Sequence, residues 1–532
     1  MPSEFKRSPK KQAFLQGAAI LTIGAMMSKV IGALFKIPLA RLITTEGAGH
    51  FAVAYNIYTV LLNVCSTGLP VAVSRYISEA NSLNRPCLMQ KVHRVSLTMF
   101  CLVGALCSGA MLIFARQIAW WMRDPEAVYA ISVLAPAIFF VCVGSAFRGY
   151  FQGQQYMTPT AVAQVIEAMS KLLIGLAAVV MLGGIAGMGV PQAAGAAISG
   201  VTIGAILSSV YFLSQYRRTK ETEHSEEDIP GWRSIAWKIV KLAIPITIGA
   251  AGLQIFNTLG SKIILGRLQD ALGYTVEGAS SLNGVFSLAQ TLYLLPSSLV
   301  QPLTVSVIPA VTAMLVQNRA GEARKVEESA IRILGLIALP CGVGLSVLSA
   351  PIQSLLFSYD AETLAVAEPV LAIMGIASVA YCLILVTNSI LQVNGYPHAS
   401  ILSTLAGGIS NITVSYILVG RAEFGITGAA WGTFAYSFVA LAVNLLIIRQ
   451  KLDPAPKLLR QLYKSAVSAA VMGLTAWFAF RMTHNTVVSI GAAGIVYFGL
   501  VYVLKIVTWY DCQLLPKGKV IARLLRIPEP NS

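Results

Sequence analysis

Apolar runs of about 20 residues, each bounded by charge, proline or glycine clusters, recur along the whole chain. A run of that length is what one helix needs to cross the hydrocarbon of a bilayer. Fourteen such segments are read, near residues 14–40, 48–73, 95–115, 128–152, 158–182, 190–213, 235–259, 281–316, 330–350, 362–392, 397–420, 424–448, 463–482 and 486–508. The expected fold is an all-α polytopic membrane protein of about 14 transmembrane helices. Composition agrees: 56% of the 532 residues are apolar and only 12% are charged, roughly half the charged share of a soluble domain. That argues against a water-soluble enzyme. The first run, Ala13 to Ala40 behind Lys6, Arg7, Lys10 and Lys11, is too long for a cleaved signal segment and reads as a first transmembrane helix. The eighth is too long for one straight helix. Its prolines Pro296, Pro302 and Pro309 predict a break or kink against protein or a water-filled cavity.

The net charge of +16 is read from its location. Of the 39 Lys and Arg, 26 fall in the N-terminal tail, the loops after spans 2, 6, 8 and 12, and the C-terminal tail. The opposite set of loops holds seven. Cytoplasmic loops carry the Lys/Arg excess, so both termini are expected in the cytoplasm, with the chain in the cell membrane. The charge then reflects topology, and no nucleic-acid partner is expected. The linker near 214–234, with Arg217, Arg218 and Lys220 ahead of Glu221 to Asp228, reads as solvated.

The eight cysteines include no Cys-x-x-Cys pair and mostly sit in apolar runs, so they read as small hydrophobes. The five histidines are scattered without metal-ligand spacing, and no metal is expected. No Gly-x4-Gly-Lys-Ser/Thr phosphate loop is present, no cofactor is expected, and no loop is long enough to fold a catalytic domain. Any work done must draw on a gradient or a partner.

The sequence also repeats itself. Thr22-Ile23-Gly24-Ala25 recurs as Thr247-Ile248-Gly249-Ala250, and Lys36-Ile37-Pro38-Leu39-Ala40-Arg41-Leu42 as Lys262-Ile263-Ile264-Leu265-Gly266-Arg267-Leu268. Gly195-Ala196-Ala197 answers Gly428-Ala429-Ala430, and Gln152 and Tyr156 answer Gln392 and Tyr396. The repeat unit is six spans, an even number, so both copies enter the membrane in the same direction. The expected organisation is an N-lobe over 1–232 with the linker, a C-lobe over 233–450, and residues 451–532 holding spans 13–14 and a basic tail. Two six-helix lobes around a cleft suit alternating access. The basic stretch Lys517 to Arg526, interleaved with Val520, Ile521, Leu524 and Leu525, is expected on the inner membrane surface.

Ionisable groups at membrane depth are costly, so they usually face a cavity or a partner. Lys29 and Lys36 lie seven residues apart in span 1, on one helical face, with no acid in that span. They read as a cationic stripe lining a cavity, although Lys36 near the outer end equally suits snorkelling to headgroups. Lys262 and Arg267 hold the repeat-equivalent place in span 7, completing a cationic ring or capping their helix. Arg148, in Phe147-Arg148-Gly149-Tyr150-Phe151-Gln152-Gly153, is placed to meet an anionic headgroup or the interface. Glu167 and Lys171 are four apart in span 5, which predicts an intrahelical ion pair. The alternative makes Glu167 a coupling site for a proton or ion. Gln254, Asn257, Asn283, Gln290, Asn388 and Asn411 either line the cleft or join helices. Mainly cationic groups at depth suit phosphate or pyrophosphate, whereas an exporter of cationic drugs calls for carboxylates.

Ser28-Lys29-Val30-Ile31-Gly32, Gly68-Leu69-Pro70-Val71-Ala72-Val73-Ser74-Arg75, and Arg148-Gly149-Tyr150-Phe151-Gln152-Gly153 followed by Pro159-Thr160-Ala161-Val162 resemble polysaccharide-biosynthesis flippases of Gram-positive bacteria. These form the stage V sporulation protein B group, relatives of MurJ-type lipid II flippases in the MOP exporter superfamily. The resemblance covers the whole chain, including a 6 + 6 + 2 plan of helices. It implies transport of an undecaprenyl-pyrophosphate-linked glycan, lipid II foremost, from the inner to the outer leaflet for peptidoglycan synthesis. It also implies a cationic central cavity in which Lys29 and Lys36 match the family's basic span-1 positions, and a groove for the prenyl tail on spans 13 and 14. Expected partners are the prenyl-linked glycan lipid, membrane lipids and cell-wall synthases. The rival readings are a flippase for a capsule or spore-cortex glycan, a drug exporter, and a scaffold for cell-wall synthases that transports nothing. An enzyme is not expected, because no paired acids or nucleophile constellation stands out at membrane depth.

Overall fold

The computed structural model describes residues 14–182, 187–219, 230–317, 319–452, 455–508 and 511. The basic N-terminal residues, the linker acids Glu221 to Asp228, Cys512 and the stretch Lys517 to Arg526 lie outside the described residues. Sixteen α-helices are present among them and no strand. Eleven stretches are long and apolar enough to cross a membrane, so the protein is an all-α, multi-pass membrane protein. Helices dominate because hydrocarbon offers no partner for backbone N–H and C=O groups, and a helix satisfies its own.

The first stretch, Ile20–Ser82, spans 63 residues, longer than one crossing requires. Its first helix, α1 (Phe14–Asn63), is broken at Thr44, where φ of 63° and ψ of 175° leave the helical region. A π-helical segment (Val64–Gly68) leads into α2 (Leu69–Ser82), which has proline in its first turn. There follow α3 (Pro86–Ile113), α4 (Ala115–Trp121), a 3-10 turn (Pro125–Ala127), α5 (Val128–Gly153), α6 (Thr158–Met181) and α7 (Val190–Thr219). Two long helices come next, α8 (Trp232–Leu272) and α9 (Val276–Val316). Gly273 ends α8 at φ 72°, a left-handed conformation that glycine adopts without strain. The chain closes with α10 (Ala320–Val347), α11 (Ser349–Phe357), α12 (Ala361–Val393), α13 (Pro397–Val419), α14 (Thr427–Lys451), α15 (Leu458–Thr483) and α16 (Thr486–Val503). Asn485 caps α16 by accepting from Val487 N and Val488 N at 3.0 and 3.2 Å.

Of the break or kink expected in the eighth span, a break does not occur. The backbone stays helical from Val276 to Val316 through all three prolines. A proline inside a helix costs about 3 kcal/mol, but leaving the helix in lipid strands several backbone groups at several kcal/mol each. The helix is the cheaper state.

The chain forms two compact units, Met1–Gly284 and Val285–Ser532. In the first, α6 packs along α1 and α7, α5 along α3 and α7, and α8 along α1 and α2. Small residues set these approaches. A Cβ on Gly200 of α7 would lie 2.6 Å from Gly175 N of α6, and one on Gly24 of α1 would lie 2.8 Å from Ala161 Cβ of α6. In the second unit, α10 packs against α12 and α15, α13 against α14, and α15 against α16. One core cluster joins Ile331, Leu334, Cys382, Ile390 and Ile448; another joins Leu348, Ala469, Met472 and Tyr497. The last two helices are thus held by an apolar seam, reinforced by Tyr497 Oη donating to Leu336 O at 2.9 Å.

Candidate functional site

The first unit gathers most of the charged residues read from the sequence. α1 is helical through Lys29 and Lys36, so their seven-residue spacing keeps them on one face. Lys36 is half-buried and Lys29 exposed to the space around the helix. α6 packs along α1 and brings Lys171 against Phe35, the residue next to Lys36. No ion pair within 4 Å involves Lys171 among the described residues. Its Nζ lies instead over three rings of α1, at 4.3 Å from the Tyr55 centroid, 5.1 Å from Phe35 and 5.6 Å from Phe51. An aromatic face is a partner that holds a cation without cancelling its charge.

The expected Glu167–Lys171 pair is therefore corrected. Glu167 turns to α5, where its Oε1 lies 3.8 Å from Arg148 Nη2, and to α7, where it accepts from Ser208 Oγ at 2.9 Å. Residues four apart on a helix can pair, but α5 supplies a guanidinium, and rings already occupy the lysine. Arg148 is only 17% exposed, so its charge is committed to this interhelical tie. The cluster runs from Lys36 through Lys171 and Tyr55 to Glu167 and Arg148, a polar track between α1, α5 and α6.

Lys262 is placed apart from that track. Its Nζ sits 3.9 Å from the Trp121 ring at the end of α4. Arg267, one turn further along α8, also has an interaction of its own. Trp121 borders an apolar cavity of ≈ 490 Å³ with Ile57, Met111 and Ile255 among its walls. Several of the polar amides join helices. Gln254 donates to Thr59 at 2.6 Å, tying α8 to α1, and Asn444 donates to Asn388 at 2.8 Å, tying α14 to α12. Asn411 accepts from Ser415 within its own helix, at 3.1 Å.

Sequence reasoning missed two features. The rings around Lys171 come from positions 16 and 20 residues apart in α1 and read individually as core. A basic cavity of ≈ 530 Å³ in the second unit is walled by Arg332, Lys457, Arg460, Lys464 and Lys505, with Glu328 opposite. Four of those cations fall in the loop-charge count and Lys505 inside the last span, whereas the fold brings all five to one cavity.

With this geometry in hand, comparison with known proteins decides the family. A model described as "Polysaccharide biosynthesis protein" matches residues 14–315, more than half of the chain. The chain belongs to that family. Among curated relatives it is 25% identical to "Stage V sporulation protein B" of Bacillus subtilis over 79% of this chain and 80% of that one. It is 23% identical to "Lipid II flippase MurJ" of the same organism over 86% and 87%. Among solved structures it is similar to "Lipid II flippase MurJ, inward closed conformation", with a TM-score of 0.70, 15% identity, and 91% and 98% of the two chains covered. An inward-facing MATE family transporter of the MOP superfamily matches at a TM-score of 0.67 and 15% identity, over 84% and 99%. At those identities the likeness establishes the fold. One of these relatives is named a flippase, and a structural neighbour is named a transporter.

Proposed function

We propose that this protein is a flippase that carries an undecaprenyl-pyrophosphate-linked glycan, lipid II foremost, from the inner to the outer leaflet by alternating access. The observation that carries the reading is Lys171 of α6, held on the rings of Tyr55, Phe35 and Phe51 with no ion pair within 4 Å among the described residues, on the helix that packs along the one bearing Lys36. Such a cation is a liability in an idle structure and an asset where a pyrophosphate must be met. Lysines supply point charges rather than the bidentate fork of arginine, which suits a headgroup that must be released. Lys29 extends the stripe by two turns. Arg148, Glu167 and Ser208 position α5, α6 and α7 around it, and Lys262 and Arg267 serve as separate cationic contacts for the headgroup. Glu167, tied to Arg148, is the candidate for coupling to an ion.

The topology proposed with it has fourteen crossings, with Thr44 dividing the first stretch and α8 and α9 each crossing once. Both termini lie in the cytoplasm, and lobes 1–232 and 233–450 are followed by two helices that accept the prenyl tail. Moving a −2 headgroup outward against an inside-negative potential is favourable by about 2.3 kcal/mol per charge per 100 mV, so the potential biases the product outward. Cell-wall synthases that consume that product are the natural partners.

The test is outer-leaflet lipid II in cells depleted of their own flippase, expressing either the intact chain or the Lys29→Ala/Lys36→Ala double variant at equal level. Restoration by the intact chain and loss in the variant is expected. Failure of the intact chain at the membrane would move the assignment to another prenyl-linked glycan, a second reading favoured by the equally close relative named for sporulation.

A further inference from the structure

A second polar cluster in the first unit takes no part in that cationic track. It lies where the break in α1 meets the 3-10 turn before α5 and the start of α9. His50 and Asp124 are both fully buried, and His50 Nδ1 lies 2.8 Å from Asp124 Oδ2. Ser280 Oγ joins the same pair, 3.1 Å from His50 Nδ1 and donating to Asp124 Oδ2 at 3.2 Å. A carboxylate accepts only, so the pairing places the imidazole proton on Nδ1 and leaves the Nε2 lone pair facing away from Asp124.

That lone pair faces two more acids. Glu46 Oε1 lies 3.6 Å from His50 Nε2, and Glu126 Oε2 lies 3.5 Å from it. The three ligand atoms are all within 4.8 Å of one another, and His50 Nε2 has no hydrogen-bond partner. Two carboxylates and a buried lone pair converging on one point repel one another unless a cation stands between them.

The distances decide which cation. A protonated imidazole bonded to a carboxylate closes to about 2.7–2.9 Å, shorter than either separation here. Zinc bonded to nitrogen and oxygen at about 2.0–2.1 Å in a tetrahedron sets its ligands about 3.3 Å apart, within a few tenths of an ångström of both. Three protein ligands leave a fourth position for water, and the side chains of Glu46 and Glu126 are 26% and 40% exposed, which gives an ion a way in. A carboxylate on the far nitrogen of a metal-bound imidazole is the usual second partner that fixes its tautomer and orientation, and Asp124 holds that place.

We propose that Glu46, His50 and Glu126 bind a divalent cation of the zinc class, with Asp124 as the positioning residue. The site clamps the second arm of α1 to the turn ahead of α5, and Ser280 brings α9 into the same network. Gly49 makes that approach possible, since a Cβ there would collide with the Ser280 backbone. The inference does not depend on which lipid, if any, is transported.

The test uses the full-length protein in detergent, freed of any polyhistidine tag, treated with chelator and exchanged. Zn²⁺ is titrated against a competing chromophoric chelator, and Co²⁺ is added separately to read its visible ligand-field bands. One equivalent of metal with the intense bands of a tetrahedral nitrogen–oxygen site is expected. Glu126→Gln, isosteric and half-exposed, should weaken binding at least tenfold while melting like the intact protein in the absence of metal. Asp124→Asn should weaken it by about 10–100-fold, the usual effect of removing such a partner. The melting temperature of the intact protein should rise with Zn²⁺, and that of Glu126→Gln should not. Absence of stoichiometric metal, or equal binding by the intact protein and Glu126→Gln, would overturn the proposal and leave His50 as an imidazolium held by its acids.

Discussion

Glu167 stands 3.8 Å from the guanidinium of Arg148 across the α5–α6 interface, while Lys171, one turn along its own helix, packs on aromatic rings. The two neighbouring charges of α6 therefore have separate tasks, one binding helix to helix and one keeping a cation available. Glu167→Gln should break the tie to Arg148. An ion pair at 3.8 Å with a third of Glu167 exposed contributes about 0.2–1 kcal/mol, and a loss of that size is expected. Thermal melting of Glu167→Gln, Arg148→Gln and the double variant checks this. The double variant should lose clearly less than the sum of the two single losses; strict additivity would dissolve the pair.

Lys36 and Lys171 make the opposite prediction for stability and function. A half-buried ammonium group at membrane depth opposes folding, so Lys36→Met should melt at a higher temperature than the intact chain. If Lys36 meets an anionic headgroup, the same substitution should abolish transport at unchanged membrane level. A gain in one property with loss of the other distinguishes a binding site from a structural lysine, which would lose both. Tyr55→Leu should cost about 0.5–2 kcal/mol through the lost ring face, with Tyr55→Phe near neutral.

At the other end of the chain, Arg332 grips the buried Asp511 through two nitrogens, at 2.8 and 2.9 Å, and Ser329 also donates to that carboxylate. The bond fastens the segment after α16 to α10, beside the basic cavity. Removing one partner of a buried pair costs about 3–5 kcal/mol. Asp511→Ala should therefore lower the melting temperature strongly, whereas Lys457→Ala on the exposed rim should leave it nearly unchanged. Equal behaviour of the two would show that this charge network is loose.

Much of this architecture is legible in the sequence because lipid enforces it. Apolar length reports a spanning helix directly. Lys29, Lys36, Arg148, Glu167 and Lys171 are visible as ionisable residues at depth, and four of these five meet in the first unit. What escapes is pairing. Nothing within α6 says that Glu167 prefers Arg148 over Lys171, since the competitor comes from another helix. His50 shows only a Glu46 at helical spacing; Asp124, Glu126 and Ser280 arrive from 74 to 230 positions away, so a search for metal spacing passes over them.

Thr44 is the position where backbone conformation itself is testable. With φ 63° and ψ 175° it occupies a region that is essentially reserved for glycine, at a cost of about 1–3 kcal/mol for a residue with a Cβ. Its hydroxyl bonds only to the adjacent Ile43 carbonyl, at 2.5 Å, which offers little compensation. The strain sits three residues from Gly47 and five from Gly49, between the two arms of α1, one carrying Phe35 and Lys36 and the other Phe51 and Tyr55. Thr44→Gly should remove it and raise the melting temperature, since the relief exceeds the roughly 0.5–1 kcal/mol of extra chain entropy that glycine brings. Thr44→Pro, which cannot reach a positive φ, should destabilise strongly. If the glycine variant is more stable and yet transports more slowly, the break is a working hinge whose strain favours movement of one arm against the other; if stability rises with transport unchanged, it is a corner and nothing more.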